Sequence, residues 1–212
     1  MSNTLASYLK KHPLLIAYIQ NGFVNLNALA RFIKKNKKGL DSTSLPALSM
    51  ELRRYISNLP KQEIISLDFS KYSLQLVTRT NIHELIMNKT AENRQECLNV
   101  VNTISKTKYF ISLIEGEKEM VVMTDYPVNK ILDDQKLKEI ITHVTGGLGF
   151  ISVNFPIELR QVPGVYNFIT FGLVEAKISI HSFHTIGGEI LILVKNEDLT
   201  RTQEVLKSLL VD

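Results

Sequence analysis

The sequence contains one cysteine, Cys97, no tryptophan and no long apolar run. A single thiol excludes a disulfide framework within the chain and a cysteine-rich zinc module. The strongest apolar stretches, residues 14–19 and 190–194, are far shorter than the roughly 20 residues that span a bilayer. The start of the sequence has no apolar segment with a small-residue cleavage site, so no signal peptide is expected. These absences predict a cytoplasmic protein with no membrane partner.

Patterns that would carry catalysis are also missing. His181 and His184 are spaced i, i+3, but they fall in a predicted strand, where they would point to opposite faces instead of sharing a metal. Glycines within residues 146–149 match neither a phosphate loop nor a dinucleotide fingerprint, and they are predicted to end a helix and form a turn. Cys97 lies on an apolar helical face and is expected to pack there. The sequence therefore predicts no enzyme, no cofactor and no metal.

The charge that is present is unevenly distributed. The 212 residues include 25 basic and 21 acidic side chains, but residues 1–61 hold ten basic and only two acidic ones, a net charge of +8. The remaining residues have a net charge of −4. Such asymmetry predicts a nucleic-acid-facing segment attached to another module. The alternative is a solvated basic surface that has no partner.

Residues 1–61 are predicted to form a helical domain of three short helices. Asn25 precedes apolar residues in an i, i+3, i+4, i+7 pattern, which predicts an amphipathic helix capped by that asparagine. Ser44 is predicted to cap the next helix, with Pro46 in its first turn. Three short helices with basic outer faces are the plan of a helix-turn-helix domain.

In such a domain the last helix enters the major groove, and surrounding cations contact phosphates. The side chains predicted to contact DNA lie off the apolar stripes and are Lys34, Lys35, Lys38, Ser49, Arg53 and Arg54. The connection over residues 36–43 is longer than the usual turn of this motif. Under the alternative interpretation Arg53 and Arg54 are therefore ordinary surface charges.

After residue 71 the pattern changes to strands alternating with helices. The order strand–helix–strand–strand–helix occurs twice, over residues 71–145 and 146–212, with Asp133 as the predicted cap of the second helix in the first copy. Each copy describes a small antiparallel sheet with two helices on one face. The predicted fold class is α+β, with the helical domain followed by two ferredoxin-like units.

The second copy resembles an ACT domain, the small regulatory module of aspartokinases and other amino-acid enzymes. The resemblance is carried by Val162-Pro163-Gly164-Val165 at the entry to a helix, by residues 173–180, by Gly188-Glu189-Ile190, and by residues 198–206. The first copy, residues 72–143, shares the element order but lacks the Pro-Gly entry. The whole chain resembles small regulators in which a winged-helix-like head precedes ACT units.

The resemblance implies units that pair through their sheets and often bind a small amino acid at the loop between the first strand and the first helix. Proline and glycine suit such a loop, because the helix behind it offers free N–H groups and a positive dipole to a carboxylate. The positions that correspond to ligand contacts are Asn154, Val162, Gly164, Val165 and Asn167. Alternatively, the Pro-Gly pair only makes the turn, and the unit serves for dimerisation.

Two functions are compatible with these patterns. The first is a homodimeric, ligand-responsive regulator that binds DNA through its basic domain and an amino acid or related metabolite through its ACT-like units. The second is a regulatory or scaffold subunit that docks on an amino-acid biosynthetic enzyme and does not bind DNA.

Overall fold

The computed structural model describes residues 3–36, 43–61, 69 and 71–210. The chain divides into two compact units, Met1–Ser66 and Leu67–Asp212. The predicted helical domain, residues 1–61, lies within the first unit. Among the described residues, no helix is both long enough and apolar enough to cross a membrane.

The described part of the N-terminal unit consists of four α-helices. They are α1 (Asn3–Lys10), α2 (Pro13–Gln20), α3 (Leu26–Asn36) and α4 (Leu45–Ser57). The prediction of three helices missed α1, whose Leu5 and Leu9 lie one turn apart and are fully buried. Eight residues with two leucines are too few to show a helical period in the sequence.

The two predicted caps are confirmed. The side-chain oxygen of Asn25 accepts hydrogen bonds from the backbone N–H groups of Asn27 (2.9 Å) and Ala28 (3.1 Å). The hydroxyl of Ser44 accepts one from the N–H of Ala47 at 3.3 Å, and a proline occupies the first turn of α4. Each cap satisfies helix donors that would otherwise lack partners.

A single apolar core joins the helices of this unit. The apolar stripe of α3 packs against the buried face of α4, α2 packs against α4, and α1 packs against α2. The buried members are Leu5, Leu9, Ile16, Ile19, Leu29, Ala30, Ile33, Leu48, Leu52 and Ile56.

The C-terminal unit combines one sheet with helices. Its strands are β1 (Gln75–Asn88), β2 (Ile111–Glu115), β3 (Glu119–Thr124), β4 (Ile141–Asn154), β5 (Ile180–Ile186) and β6 (Glu189–Lys195). Its α-helices are α5 (Arg94–Ser105), α6 (Asn129–Leu132), α7 (Gln135–Ile140), α8 (Val165–Glu175) and α9 (Leu199–Leu210). Short 3-10 helices cover Ile157–Gln161 and Asn196–Asp198.

The six strands form one sheet in the order β2-β3-β1-β4-β6-β5, and all five pairings are antiparallel. The central pair consists of β1 and β4, which have 14 residues each. One half of the sheet contains β2 and β3, and the other contains β6 and β5. Residues 83–88 of β1 pair with β3, and residues 148–154 of β4 pair with β6. Because β1 and β4 also pair with each other along their length, both strands contribute to both halves. The predicted division at residues 145 and 146 falls inside β4.

Two predictions in this region were wrong. Thr145, Gly146 and Gly147 do not end a helix; they lie within β4, and the preceding helix ends at Ile140. These glycines accommodate a shift in the β1–β4 register, where Gly147 has a φ of +69°. A strand irregularity and a helix end both favour glycine, so the local pattern does not separate them. The helix cap is Asp134, one residue after the predicted Asp133.

Helices cover one face of the sheet in two groups. Apolar residues of β1 and β3 pack under α5, and those of β4 and β6 pack under α8 and α9. The strand residues between them point to the opposite face, where a further cluster contains Ile82, Met123, Leu148, Phe150, Leu191 and Leu193.

That opposite face is concave. Phe110 directly precedes β2, yet its ring centroid lies 4.8 Å from that of Phe150 on β4, three strands away. A flat sheet would separate such strands by roughly 14 Å, since neighbours lie about 4.8 Å apart. The guanidinium of Arg79 on β1 also lies 4.7 Å from the Phe110 ring centroid. The sheet is therefore curled enough for its two halves to touch across this face.

The turn between β5 and β6 offers a test of this packing. A Cβ atom at Gly188 would lie 2.5 Å from the backbone oxygen of Phe155, which cannot rotate away. We expect Gly188→Ala to lower the free energy of unfolding by about 1–3 kcal/mol, measured by urea denaturation. The control is Gly172→Ala, where the obstacle is the flexible end of Leu209 and the loss should be smaller. Equal losses would show that backbone crowding at residue 188 is unimportant.

Candidate functional site

The start of α8 has unused hydrogen-bond donors. Gly164 precedes the helix with a φ of +91°, a conformation that glycine adopts without strain, and it has no side chain to cap the helix. The first helical bond back to the cap is donated by Phe168 to the carbonyl of Gly164 at 2.8 Å. The N–H groups of the first turn are therefore left for solvent or a ligand. Such a helix start favours an anionic group.

The predicted ligand residues occupy different surroundings. Gly164 and Asn167 are exposed at the start of α8. The side chain of Val165 is 2 % exposed and packs in the core, and Val162 packs against the same cluster. The side chain of Val165 is therefore out of a ligand's reach, whereas that of Val162 is only partly covered.

Asn154 lies at the end of β4, on the other face of the sheet. Its neighbour Val153 packs under α8, so strand alternation directs Asn154 toward the concave face. Its amide donates to the hydroxyl of Ser152 at 3.3 Å, and that hydroxyl donates to the carboxylate of Glu189. The sequence did not single out Ser152 or Glu189, because their proximity depends on the β4–β6 register. The structure thus brings Gly164 and Asn167 together and places Asn154 apart from them.

A cluster of one carboxylate and two histidines lies on the concave face. The carboxylate of Glu84 on β1 is 2.7 Å from Nε2 of His181 on β5, and Glu84 is only 6 % exposed. Nε2 of His184 is buried without a hydrogen-bond partner, and burial lowers the pKa of this ring while the Glu84 charge opposes the shift.

The prediction that His181 and His184 point to opposite faces was wrong. The β5–β6 register shifts between Ile180 and Ser182, which inserts an extra residue at His181 and changes the alternation. Both rings therefore interact with the same carboxylate, on Glu84. Within the described residues, no group of three His, Cys, Asp or Glu side chains is arranged to hold a metal ion.

The predicted DNA-contacting residues differ in their availability. Arg53, Arg54 and Lys35 are exposed. The ammonium of Lys34 donates to the carbonyl of Thr43 at 2.7 Å, so this lysine ties the end of α3 to the segment before α4.

Two other members of the predicted set differ from these. The hydroxyl of Ser49 is buried and has no hydrogen-bond partner. Lys38 lies outside the described residues.

Protonation of His184 should destabilise the fold. Because burial lowers the pKa of this ring, the unfolded chain, with a His pKa of about 6.5, binds the proton more readily. The free energy of unfolding is therefore highest above that pH and falls as the pH drops below it. We expect His184→Phe to reduce the loss between about pH 7.5 and pH 5, measured by urea denaturation. The control is His143→Gln, a change at an exposed residue of β4, which should leave the loss of stability at low pH unchanged. If His184→Phe loses as much stability at low pH as the unmodified protein, His184 is not the group responsible.

Comparison with solved structures finds similar folds in regulatory parts of aspartate kinases. A putative C-terminal regulatory domain of aspartate kinase from Porphyromonas gingivalis has a TM-score of 0.50 and 13% identity, covering 66% of this chain and 99% of that chain. The regulatory subunit of aspartate kinase from Thermus thermophilus has a TM-score of 0.50 and 11% identity, covering 66% and 97%. For the Clostridium acetobutylicum aspartate kinase the TM-score is 0.52 at 11% identity, covering 64% of this chain but only 34% of that enzyme.

No family model matches the sequence, and no curated protein matches it. At 11% to 13% identity, these comparisons show a similarity of fold alone. The mixed helix and antiparallel sheet of the chain is thus an α+β architecture similar to the regulatory regions of aspartate kinases.

Proposed function

We propose that the C-terminal unit is an amino-acid-sensing regulatory module built from two interlocked ACT-type, ferredoxin-like units. The element order from β1 to β4 repeats from β4 to α9, with β1 completing the second half of the sheet. The two units, predicted at residues 71–145 and 146–212, exchange parts of β1 and β4. The similarity in fold to regulatory parts of aspartate kinases supports this assignment.

The observation that carries the proposal is the uncapped start of α8. The carboxylate of a free amino acid would accept hydrogen bonds from the N–H groups behind Gly164, with Asn167 beside it. Val165 would contribute only backbone groups, and Val162 its backbone and the exposed part of its side chain. Asn154 stays a predicted contact from the opposite face of the sheet.

The proposed role is regulation without catalysis, in a homodimer whose units pair through their sheets. Two of the similar structures are described as a regulatory subunit and a regulatory domain, which supports a non-enzymatic role. The edge strands β2 and β5 are the places where a second sheet can be added.

DNA binding by the N-terminal unit is the second candidate. The exposed Arg53 and Arg54 on α4 favour it. It predicts a steep loss of affinity with salt in a mobility-shift titration, because phosphate contacts release counterions. The remaining alternative is a scaffold subunit of an amino-acid biosynthetic enzyme, whose N-terminal unit contacts protein.

A thermal-shift screen of the twenty amino acids tests the sensing role. A ligand at 100 times its Kd adds about 2.7 kcal/mol to the free energy of unfolding, a rise of roughly 5–10 °C in Tm. We expect at least one amino acid to raise Tm. Asn167→Asp should abolish that rise, because the new carboxylate occupies the helix start and repels the ligand's own.

The control for this variant is Gln95→Glu, which adds the same charge to the first turn of α5. Asp at the start of α8 favours the helix electrostatically, so the unliganded variant should remain folded. If no amino acid raises Tm, or if Asn167→Asp responds as Gln95→Glu does, the proposed site is wrong.

A further inference from the structure

The N-terminal unit contains an open groove between its helices. Two adjoining openings, of about 330 and 560 Å³, share Ile19, Leu26 and Arg53 along their walls. The remaining lining residues come from α2, the turn after it, the start of α3, and α4 with the residues that follow it, and they include Gly22, Val24, Ser49, Met50 and Lys61.

Large apolar side chains are exposed at this groove. Met50 lines it and is 64 % exposed, and Phe23, between the lining residues Gly22 and Val24, is 74 % exposed. The Phe23 ring meets Tyr18 edge-on, with centroids 6.4 Å apart. Large apolar side chains left exposed beside a groove are typical of a surface that contacts another molecule.

An unpaired polar group lies beside the groove. Ser49 on α4 lines the larger opening, and its hydroxyl is buried without a hydrogen-bond partner. A buried hydroxyl without a partner is costly, so the packing of α4 is not fully satisfied at this point.

Charge distinguishes the possible occupants. The cations Arg53 and Lys61 line the groove, and none of its lining residues is acidic. The sequence of residues 1–61 as a whole has a net charge of +8. An acidic occupant is therefore attracted, but the phosphate backbone of a nucleic acid would leave Phe23 and Met50 without apolar contacts. A protein segment with both apolar and acidic side chains satisfies both requirements.

We propose that this groove docks an acidic amphipathic helix of a partner protein, with its apolar face on Phe23 and Met50 and its carboxylates near Arg53 and Lys61. The described residues of this unit are helical and provide no strand edge, which disfavours an extended peptide. Helix binding in an apolar groove is a common mode of recognition. The proposal concerns the N-terminal unit and stands whether or not the other unit binds an amino acid.

Fluorescence anisotropy with the full chain provides the test. The probe is a labelled synthetic peptide of about 18 residues with leucines at i, i+4, i+7 and i+11 and glutamates on the opposite face. A second peptide has the same composition in an order that scatters the leucines around the helix. We expect the amphipathic peptide to bind at least about tenfold more tightly than the scrambled one, a difference of about 1.4 kcal/mol.

Two pairs of variants locate the binding surface. Met50→Glu and Arg53→Glu should each weaken binding at least about tenfold, because they remove an apolar anchor and a cation from the groove. Their controls are Phe32→Glu and Arg54→Glu, which change exposed residues outside the lining and should alter Kd less than about twofold. Circular dichroism checks that all four variants keep their helical content.

Three results would overturn the proposal. The first is equal binding of the two peptides, and the second is an equal effect of Arg53→Glu and Arg54→Glu. The third is tight, salt-sensitive binding of a DNA duplex of about 20 base pairs that displaces the peptide, which would make this surface a DNA reader. The amino-acid thermal shift is read separately, so its failure would not affect this outcome.

Discussion

The pairing of β1 with β4 is the interaction on which the C-terminal unit depends. Each strand has 14 residues, and each contributes hydrogen bonds to both halves of the sheet. The irregularities at Asn81 and Gly147 let the two strands stay paired while the sheet curls. Without that curl, Phe110 could not reach Phe150, and the carboxylate of Glu84 could not reach His181. The central pair thus determines both the concave face and the cluster of Glu84, His181 and His184 on it.

The features that sequence reasoning found are local ones. Asn25 and Ser44 are predictable as caps because a cap depends on residues within one helical turn. The element order of the C-terminal unit follows from hydrophobic periodicity for the same reason. Gly146 and Gly147 were predicted to end a helix, because glycine is common both at helix ends and in irregular strands. Only the pairing of β4 with β1 distinguishes the two.

The features that sequence reasoning missed depend on tertiary structure. One extra residue in β5 places the side chain of His181 on the same face of the sheet as that of His184. No local sequence pattern reveals this extra residue. Ser152 and Glu189 meet only through the β4–β6 register. The groove beside Met50 combines residues from α2, α3 and α4, so its apolar exposure and its unpartnered Ser49 hydroxyl emerge only once those helices are packed.

Sharing the long strands also affects how the chain can fold. Pairs in the central ladder run from Met87 with Ile141 to Gln75 with Asn154, so none forms until the second strand has been synthesised. Contacts this distant in sequence slow folding, because the chain loses the entropy of loop closure before the contacts contribute any stabilisation. A nascent chain that ends before β4 therefore leaves one side of β1 as an unpaired edge, the form of strand most prone to aggregate. The two halves of the sheet are therefore obliged to fold together, and neither half keeps a complete sheet when the other is removed.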